Sequence, residues 1–141
     1  MSERKDLECL PPFPTSLGIC IEECHSNRVV GTVKVTPAMA NRNGVMHGGA
    51  IMTFADTLAG VAASANLPKD SRQTAVESKT NFIRAVTIGE TISGCCVPIH
   101  VGGKTIILRV DITRQDGKLV ATTLQTHMPV DWEKPSTVDN S

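Results

Sequence analysis

The chain has 141 residues, a length that suits one domain with a single substantial core. Fourteen basic and fourteen acidic residues cancel, so no global field draws it to nucleic acid or to an anionic membrane. Aromatic residues make up 3% and tyrosine is absent, which argues against base-stacking platforms, while 40% hydrophobic and 20% charged residues are the composition of a soluble globular protein.

The N-terminus, MSERKDLECL, mixes charges and lacks the apolar run of a signal peptide. No stretch approaches the ~20 apolar residues of a membrane span, so a cytoplasmic protein is expected. Residues 1–15, with Pro11, Pro12 and Pro14, read as a lead-in rather than a regular element. Ser16–Cys24 and Val29–Thr36 read as two strands joined by the polar turn His25-Ser26-Asn27-Arg28. In the second, Gly31, Val33 and Val35 face one way and Val30, Thr32 and Lys34 the other. Residues 37–46 form a loop in which Asn43-Gly44 is a turn signal.

From Gly48 to Ala65 the period changes. Ile51, Ala55, Leu58, Ala62 and Ala65 line one helical stripe, with Met52, Ala59 and Ala63 beside it. Such a helix is ~27 Å long at 1.5 Å per residue. Its second half, AGVAASA, is small and apolar nearly all round, which places it inside the structure, and Gly60 is expected to let other backbones approach. Leu67-Pro68 ends it. Four strands follow, at Gln73–Arg84, Thr91–Val101, Thr105–Arg114 and Leu119–Met128, in a meander-like sequence. Gly102-Gly103 turns the chain before the third of these, Gln115-Asp116-Gly117-Lys118 makes a hairpin after it, and Pro98 puts its strand at an edge or a bulge. The order predicts an α+β domain over residues 16–130: one long central helix wrapped by a curved antiparallel sheet of five to six strands, with a polar tail at 131–141. One sheet covers one side of the helix, so a dimer is expected.

Cys9, Cys20, Cys24, Cys95 and Cys96 are an odd set with no paired C-x-x-C pattern, and Cys20, Cys24 and His25 lack a completing ligand. They read as small apolar thiols in a reducing compartment, and no metal site is expected.

The chemistry concentrates in NRNGVMHGGAIMTFAD, residues 41–56. Asp56 sits mid-helix among Met52, Thr53, Ala59 and Gly60, where local propensity does not explain it. If dry, that position disfavours the charged carboxylate and makes it a stronger base or nucleophile. The same residue could equally lie on an exposed strip or bond a neighbouring strand. His47-Gly48-Gly49 opens the helix, where backbone N–H groups lack intrahelical partners and glycines let a carbonyl or phosphate approach. Those donors and the helix dipole would stabilise an oxyanion on an ester or thioester carbonyl; the other reading is a tight turn with His47 as a satisfied polar residue. Gly48 and Asp56 are ~12 Å apart along the axis, so one site needs two chains.

The string HGGAIMTFAD, the small-residue helix behind it and the strand TNFIRAV resemble the hotdog-fold acyl-CoA thioesterases, the PaaI-like (phenylacetate-type) branch in particular, over Ser16 to Met128. The marks of the likeness are Asn41, His47-Gly48-Gly49, Asp56 and NFIR at 81–84, with Ala85 where relatives carry proline. The resemblance implies hydrolysis of an acyl-CoA to free acid and CoA in a homodimer with shared sites, or in a dimer of dimers, without a metal or redox cofactor. It makes Gly48 N–H the oxyanion donor, Asp56 of the opposite protomer the nucleophile or general base, Asn41 a positioner of water or thioester, and His47 the organiser of the loop. Gly49, Thr74, Ala75, Arg84 and Lys104 are the expected substrate- and CoA-binding positions, with Arg109 a further candidate for phosphate. Some relatives carry a water-assisting serine where Ala75 stands; Thr74 faces the other way by strand alternation, and so, three positions on, does Ser78. His127 reads as structural. A hotdog 3-hydroxyacyl-thioester dehydratase or hydratase and a non-catalytic acyl-CoA-binding module are the rival functions.

Overall fold

The computed structural model describes residues 3–131. Two helices and six strands follow one another as α1 (Pro12–Ser16), β1 (Cys20–His25), β2 (Arg28–Lys34), α2 (Gly48–Ala65), β3 (Arg72–Phe82), β4 (Thr91–Val101), β5 (Ile106–Thr113) and β6 (Leu119–Val130), with short 3-10 turns at Lys5–Glu8 and Pro37–Met39. The expected helix and the sheet around it are both present. All six strands form one antiparallel sheet in the order β1-β2-β4-β5-β6-β3.

That order corrects the meander. β4, β5 and β6 do follow one another, but β3 pairs with β6 at the far edge, from Arg72↔Val130 to Phe82↔Ala121, and β2 pairs with β4. The physical reason is the course of α2. Gly48 at its start lies against Phe82, and Gly60 and Ser64 late in it lie against Gln73, so the helix runs along β3 and hands the chain to the edge beside β6.

The helix packs on the concave face of the sheet through Ile51, Phe54, Ala55, Leu58, Ala59, Val61, Ala62, Ala63 and Ala65, all buried. Close approach is made by the sheet's glycines, not by Gly60. Gly31 and Gly94 stand opposite each other on β2 and β4. A Cβ at Gly31 would lie 2.5 Å from Leu58 Cδ2, and one at Gly94 would lie 2.4 Å from Leu58 Cδ1 and 3.0 Å from Phe54 Cε1. The paired glycines make a notch that Leu58 fills. A Cβ at Gly60 would meet nothing within 4 Å, because that face of α2 borders open space.

The N-terminal segment is more ordered than a lead-in. Arg4 N–H donates to Cys24 O at 3.0 Å and Glu3 bridges His25, which ties the segment to the free edge of β1. Pro12 and Pro14 begin α1, where a missing N–H costs nothing, and Pro14 is buried. Ser16 therefore ends α1, and β1 starts only at Cys20. Pro98 lies at a register shift between β4 and β5, the bulge its ring demands in an internal strand. Gly44 and Gly117 take φ +76° and +80°, as the expected turns require. Of the polar tail at 131–141, residues 132–141 lie outside the described residues. Among the described residues no helix is long and apolar enough to cross a membrane.

Candidate active site

His47 is the N-cap of α2. Its backbone stays extended and its Nδ1 accepts from Gly49 N–H at 2.8 Å, while its own N–H donates to Met39 O at 2.7 Å. The cap thus consumes the Gly49 amide and leaves Gly48 N–H without a hydrogen bond among the described residues. The ring of Phe82 covers the Gly48 α-carbon so closely that a Cβ there would sit 3.3 Å from it. Asn41 Oδ1 accepts from Asn43 N–H (2.9 Å) and Val45 N–H (3.4 Å), an Asx turn that shapes the loop and leaves its NH2 group unengaged. Asn41, Gly48, Phe82 and Arg84 line one hollow of about 330 Å³.

Asp56 belongs to a different cleft. In the single chain it is exposed, not desolvated as its sequence neighbours suggest, because Gly60, Thr53 and Thr57 surround it with small groups on an uncovered helix face. Besides lying on an exposed strip it bonds a neighbouring strand: Gln125 Nε2 on β6 donates to Asp56 Oδ1 at 2.8 Å. Asp56 Oδ2 takes no hydrogen bond among the described residues. The cleft it lines, about 570 Å³, has α2 as its floor and Leu7, Leu10 and Phe13 of the N-terminal segment as an apolar wall.

Behind the carboxylate runs a buried polar chain. Gln125 is 1% exposed and His127 2%. His127 Nε2 lies 2.5 Å from Gln125 Oε1, and its Nδ1 lies 2.5 Å from Gln73 Oε1 on β3. Gln73 Nε2 in turn reaches Gly60 O at 3.3 Å and Ser64 Oγ at 3.4 Å. Burial pushes the His127 imidazole below its ordinary pKa, and the charge of Asp56 opposes this more weakly.

The strand β3 corrects one inference from alternation. Its pairing with β6 shifts register between Ala75 and Glu77, so Val76 is extruded as a bulge. Ala75 stands opposite His127 and Ser78 opposite Gln125, both inward-facing partners, and residues directly opposite share a face. Ser78 therefore faces the same side as Ala75, and it lines the cleft with Asp56. Its hydroxyl has no hydrogen bond among the described residues. Thr74 stands opposite the exposed Met128 and points to the outer face, away from the cleft.

The basic candidates separate. Arg84 Nη1 donates to Leu119 O at 2.8 Å beside the Gly48 hollow, Lys104 is exposed on the β4–β5 turn, and Arg109 is paired with Asp111 at 3.4 Å. The five cysteines are free, and burial raises Cys24 to about 11 and Cys96 to about 12, so both stay thiols. No cluster of potential metal ligands occurs among the described residues.

One chain thus brings Asn41, His47, Gly48 and Arg84 together at the start of α2, and Asp56 and Ser78 together two turns along it, without joining the two groups. Gln73, Gln125 and His127 are the functional candidates that pattern reading passed over. Their signal was present: Thr123, Gln125 and His127 are polar residues at successive inward positions of β6.

The Thioesterase superfamily profile matches residues 43–121. The chain is 31% identical over 104 residues to a Vibrio cholerae protein that bears an esterase name, covering 74% of this chain and 69% of that one. It is 24% identical over 110 residues to the 1,4-dihydroxy-2-naphthoyl-CoA hydrolase of Escherichia coli, covering 78% and 80%. Among solved structures, the PaaI protein from the phenylacetic acid degradation operon of Escherichia coli superposes with a TM-score of 0.77 at 25% identity, over 84% of this chain and 83% of that one. A hypothetical thioesterase of Streptococcus pneumoniae, solved with coenzyme A, gives 0.75 at 25% identity over 82% and 88%.

Proposed function

The chain belongs to the Thioesterase superfamily, and from that membership we propose that it is an acyl-CoA thioesterase whose working carboxylate is Asp56. The observation that carries this reading is the Asp56 carboxylate itself, fixed through one oxygen by Gln125 and open through the other to a cleft with an apolar wall. A CoA-bound relative and a naphthoyl-CoA hydrolase among the similar proteins support a CoA ester as substrate.

In the proposed reaction the thioester carbonyl oxygen accepts from Gly48 N–H at the positive end of α2, which polarises the carbonyl carbon. Asp56 either takes the proton of a water that attacks this carbon or attacks it directly and forms an anhydride that water opens. The C–S bond breaks in both routes, the thiolate of CoA takes up a proton, and the acyl group leaves as a carboxylic acid. Asn41 offers its free NH2 group to the thioester, and Ser78 offers its unengaged hydroxyl to the water beside Asp56. Arg84, beside the Gly48 hollow, meets the phosphates of CoA, joined by Lys104 of the opposite protomer, since in one chain the two stand at opposite ends of the sheet. Only water and these groups take part; the chemistry calls for no metal or redox cofactor.

The acting Gly48 and Asp56 belong to different protomers. Along one helix they are ~12 Å apart, too far to serve one carbonyl. The edge strand β3 supports a homodimer, because it ends the sheet with unpaired backbone and exposes Val76 (53%) and Phe82 (54%). A twofold pairing of β3 edges would set the start of one α2 against the middle of the other.

The test is a thiol-release assay over short-chain, long-chain and aryl acyl-CoAs with Asp56→Asn in parallel. Hydrolysis by the wild type and its loss in a folded Asp56→Asn variant are expected. Equal rates for the two proteins would remove Asp56 from the mechanism, and dehydration of a 3-hydroxyacyl-CoA without thiol release would replace the reaction.

A further inference from the structure

The polar chain behind Asp56 has a direction, set by which of its members can only accept. A carboxylate oxygen and a backbone carbonyl are acceptors alone, so Gln125 turns its NH2 toward Asp56 and Gln73 turns its NH2 toward Gly60 O. Both amide oxygens then face the imidazole of His127, at Nε2 and Nδ1 respectively. An imidazolium satisfies this arrangement with two N–H donors. A neutral ring has one N–H, and one of the two amides has to turn.

The two amides do not turn equally easily. Reversing Gln125 would replace its 2.8 Å bond to the Asp56 carboxylate with a contact between an amide oxygen and a negative charge. Reversing Gln73 loses only bonds of 3.3 and 3.4 Å, and the Ser64 hydroxyl can rotate to donate to the oxygen that takes their place. The neutral ring therefore keeps its proton on Nε2 and accepts at Nδ1 from a turned Gln73. In both ionisation states Nε2–H points at Gln125.

We propose that His127 is a positioning residue for the thioesterase reaction, whose Nε2–H locks the Gln125 amide so that its NH2 holds Asp56 Oδ1 and frees Oδ2 for the water or the thioester. This rests on the proposed role of Asp56. Burial makes the lock stiff: Gln125 and His127 are 1% and 2% exposed, so no water competes for either amide atom. The charged group acting on the ring among the described residues is the Asp56 carboxylate, reached from α2; Gln73 from β3 and Gln125 from β6 itself are neutral. Without the lock, Gln125 is free to present its oxygen to Asp56, and the carboxylate swings within the open cleft.

Two measurements test this. The first compares His127→Leu, which keeps bulk and removes the donor, with His127→Gln, whose amide NH2 can reach the Nε2 position. His127→Leu is expected to lower kcat roughly ten- to hundredfold, the effect of losing an oriented hydrogen bond to a charged group, with KM within about threefold of wild type. His127→Gln should recover most of kcat at the same thermal stability as His127→Leu. A kcat for His127→Leu equal to wild type, or equal losses in both variants, overturns the proposal. The second measurement needs no turnover. Nitrogen-15 spectra of the His127 ring at pH 8 should show a protonated Nε2 and an unprotonated Nδ1; the opposite tautomer overturns the lock even if hydrolysis is confirmed. If no acyl-CoA is hydrolysed, the tautomer still decides the lock, and only the role of Asp56 fails.

Discussion

Ala75 and Ser78 point to the same side of β3 although three positions separate them, because Val76 is extruded between Ala75 and Glu77. One extra residue in the strand moves a hydroxyl from the outer face into the cleft of Asp56. Ser78→Ala is expected to lower kcat roughly tenfold, the effect of one lost hydrogen bond to the reacting water, with little change in KM. The double variant Ala75→Ser/Ser78→Ala should recover part of that loss, because position 75 shares the face. Steady-state kinetics on the preferred acyl-CoA check both, and a Ser78→Ala enzyme with wild-type kcat would exclude the hydroxyl.

Oxygen labelling tests for an anhydride opened at the Asp56 carbon. In a single turnover in H2 18O, general-base catalysis puts solvent oxygen in the acid product, as does an anhydride opened at the acyl carbon. An anhydride opened by water at the Asp56 carbon instead delivers an oxygen of Asp56 to the product and leaves the label on the enzyme. Mass spectrometry of product and protein reads the result directly.

The glycines of the helix seat divide by what a methyl group would meet. Gly94→Ala places a Cβ 2.4 Å from Leu58 in a packed core and is expected to destabilise the fold by about 1–3 kcal/mol. Gly60→Ala meets nothing within 4 Å and should leave stability unchanged or raise it by up to about 1 kcal/mol through helix propensity. Urea midpoints measure both. The larger Gly60→Leu projects into the cleft wall opposite Leu10 and Phe13, and should shift preference toward shorter acyl groups.

His127 gives stability a pH dependence of defined sign. Its folded-state pKa lies below the unfolded value of about 6.5, so between the two the unfolded chain binds more protons. The contribution is fully present above the unfolded pKa and is lost as pH falls through the folded one. Thermal unfolding from pH 7.5 to 5 should show a decline in Tm that is smaller in His127→Gln, which carries no titrating ring.

Most of the fold was legible because it is written in periods. The stripe Ile51, Ala55, Leu58, Ala62, Ala65 marks α2 to the residue, and alternation marks β5, where Ile106, Leu108, Val110 and Ile112 are buried. Strand order was not legible, since which edge β3 joins depends on where α2 lies against the sheet rather than on the composition of β3. The site was half legible. His47, Gly48 and Asp56 stand out by type and spacing, whereas Gln125 and His127 matter through side-chain contacts to Asp56 and Gln73, 69 and 54 positions away in the chain. The face of Ser78 hung on a bulge that no local residue preference announces; Val76 is an ordinary strand residue.

The notch at Gly31 and Gly94 acts at a distance from any chemistry. By accepting Leu58 and nothing larger, it indexes α2 in rotation, as a keyway indexes a shaft. Asp56 lies two residues earlier, about 200° around the axis at 3.6 residues per turn, so its bearing is set by that same key. The aim of the carboxylate is thus machined by two absent side chains on the opposite wall of the sheet. Grafting NRNGVMHGGAIMTFAD onto another sheet of this shape would carry over every reactive group and still lose the alignment, unless the slot travelled with it.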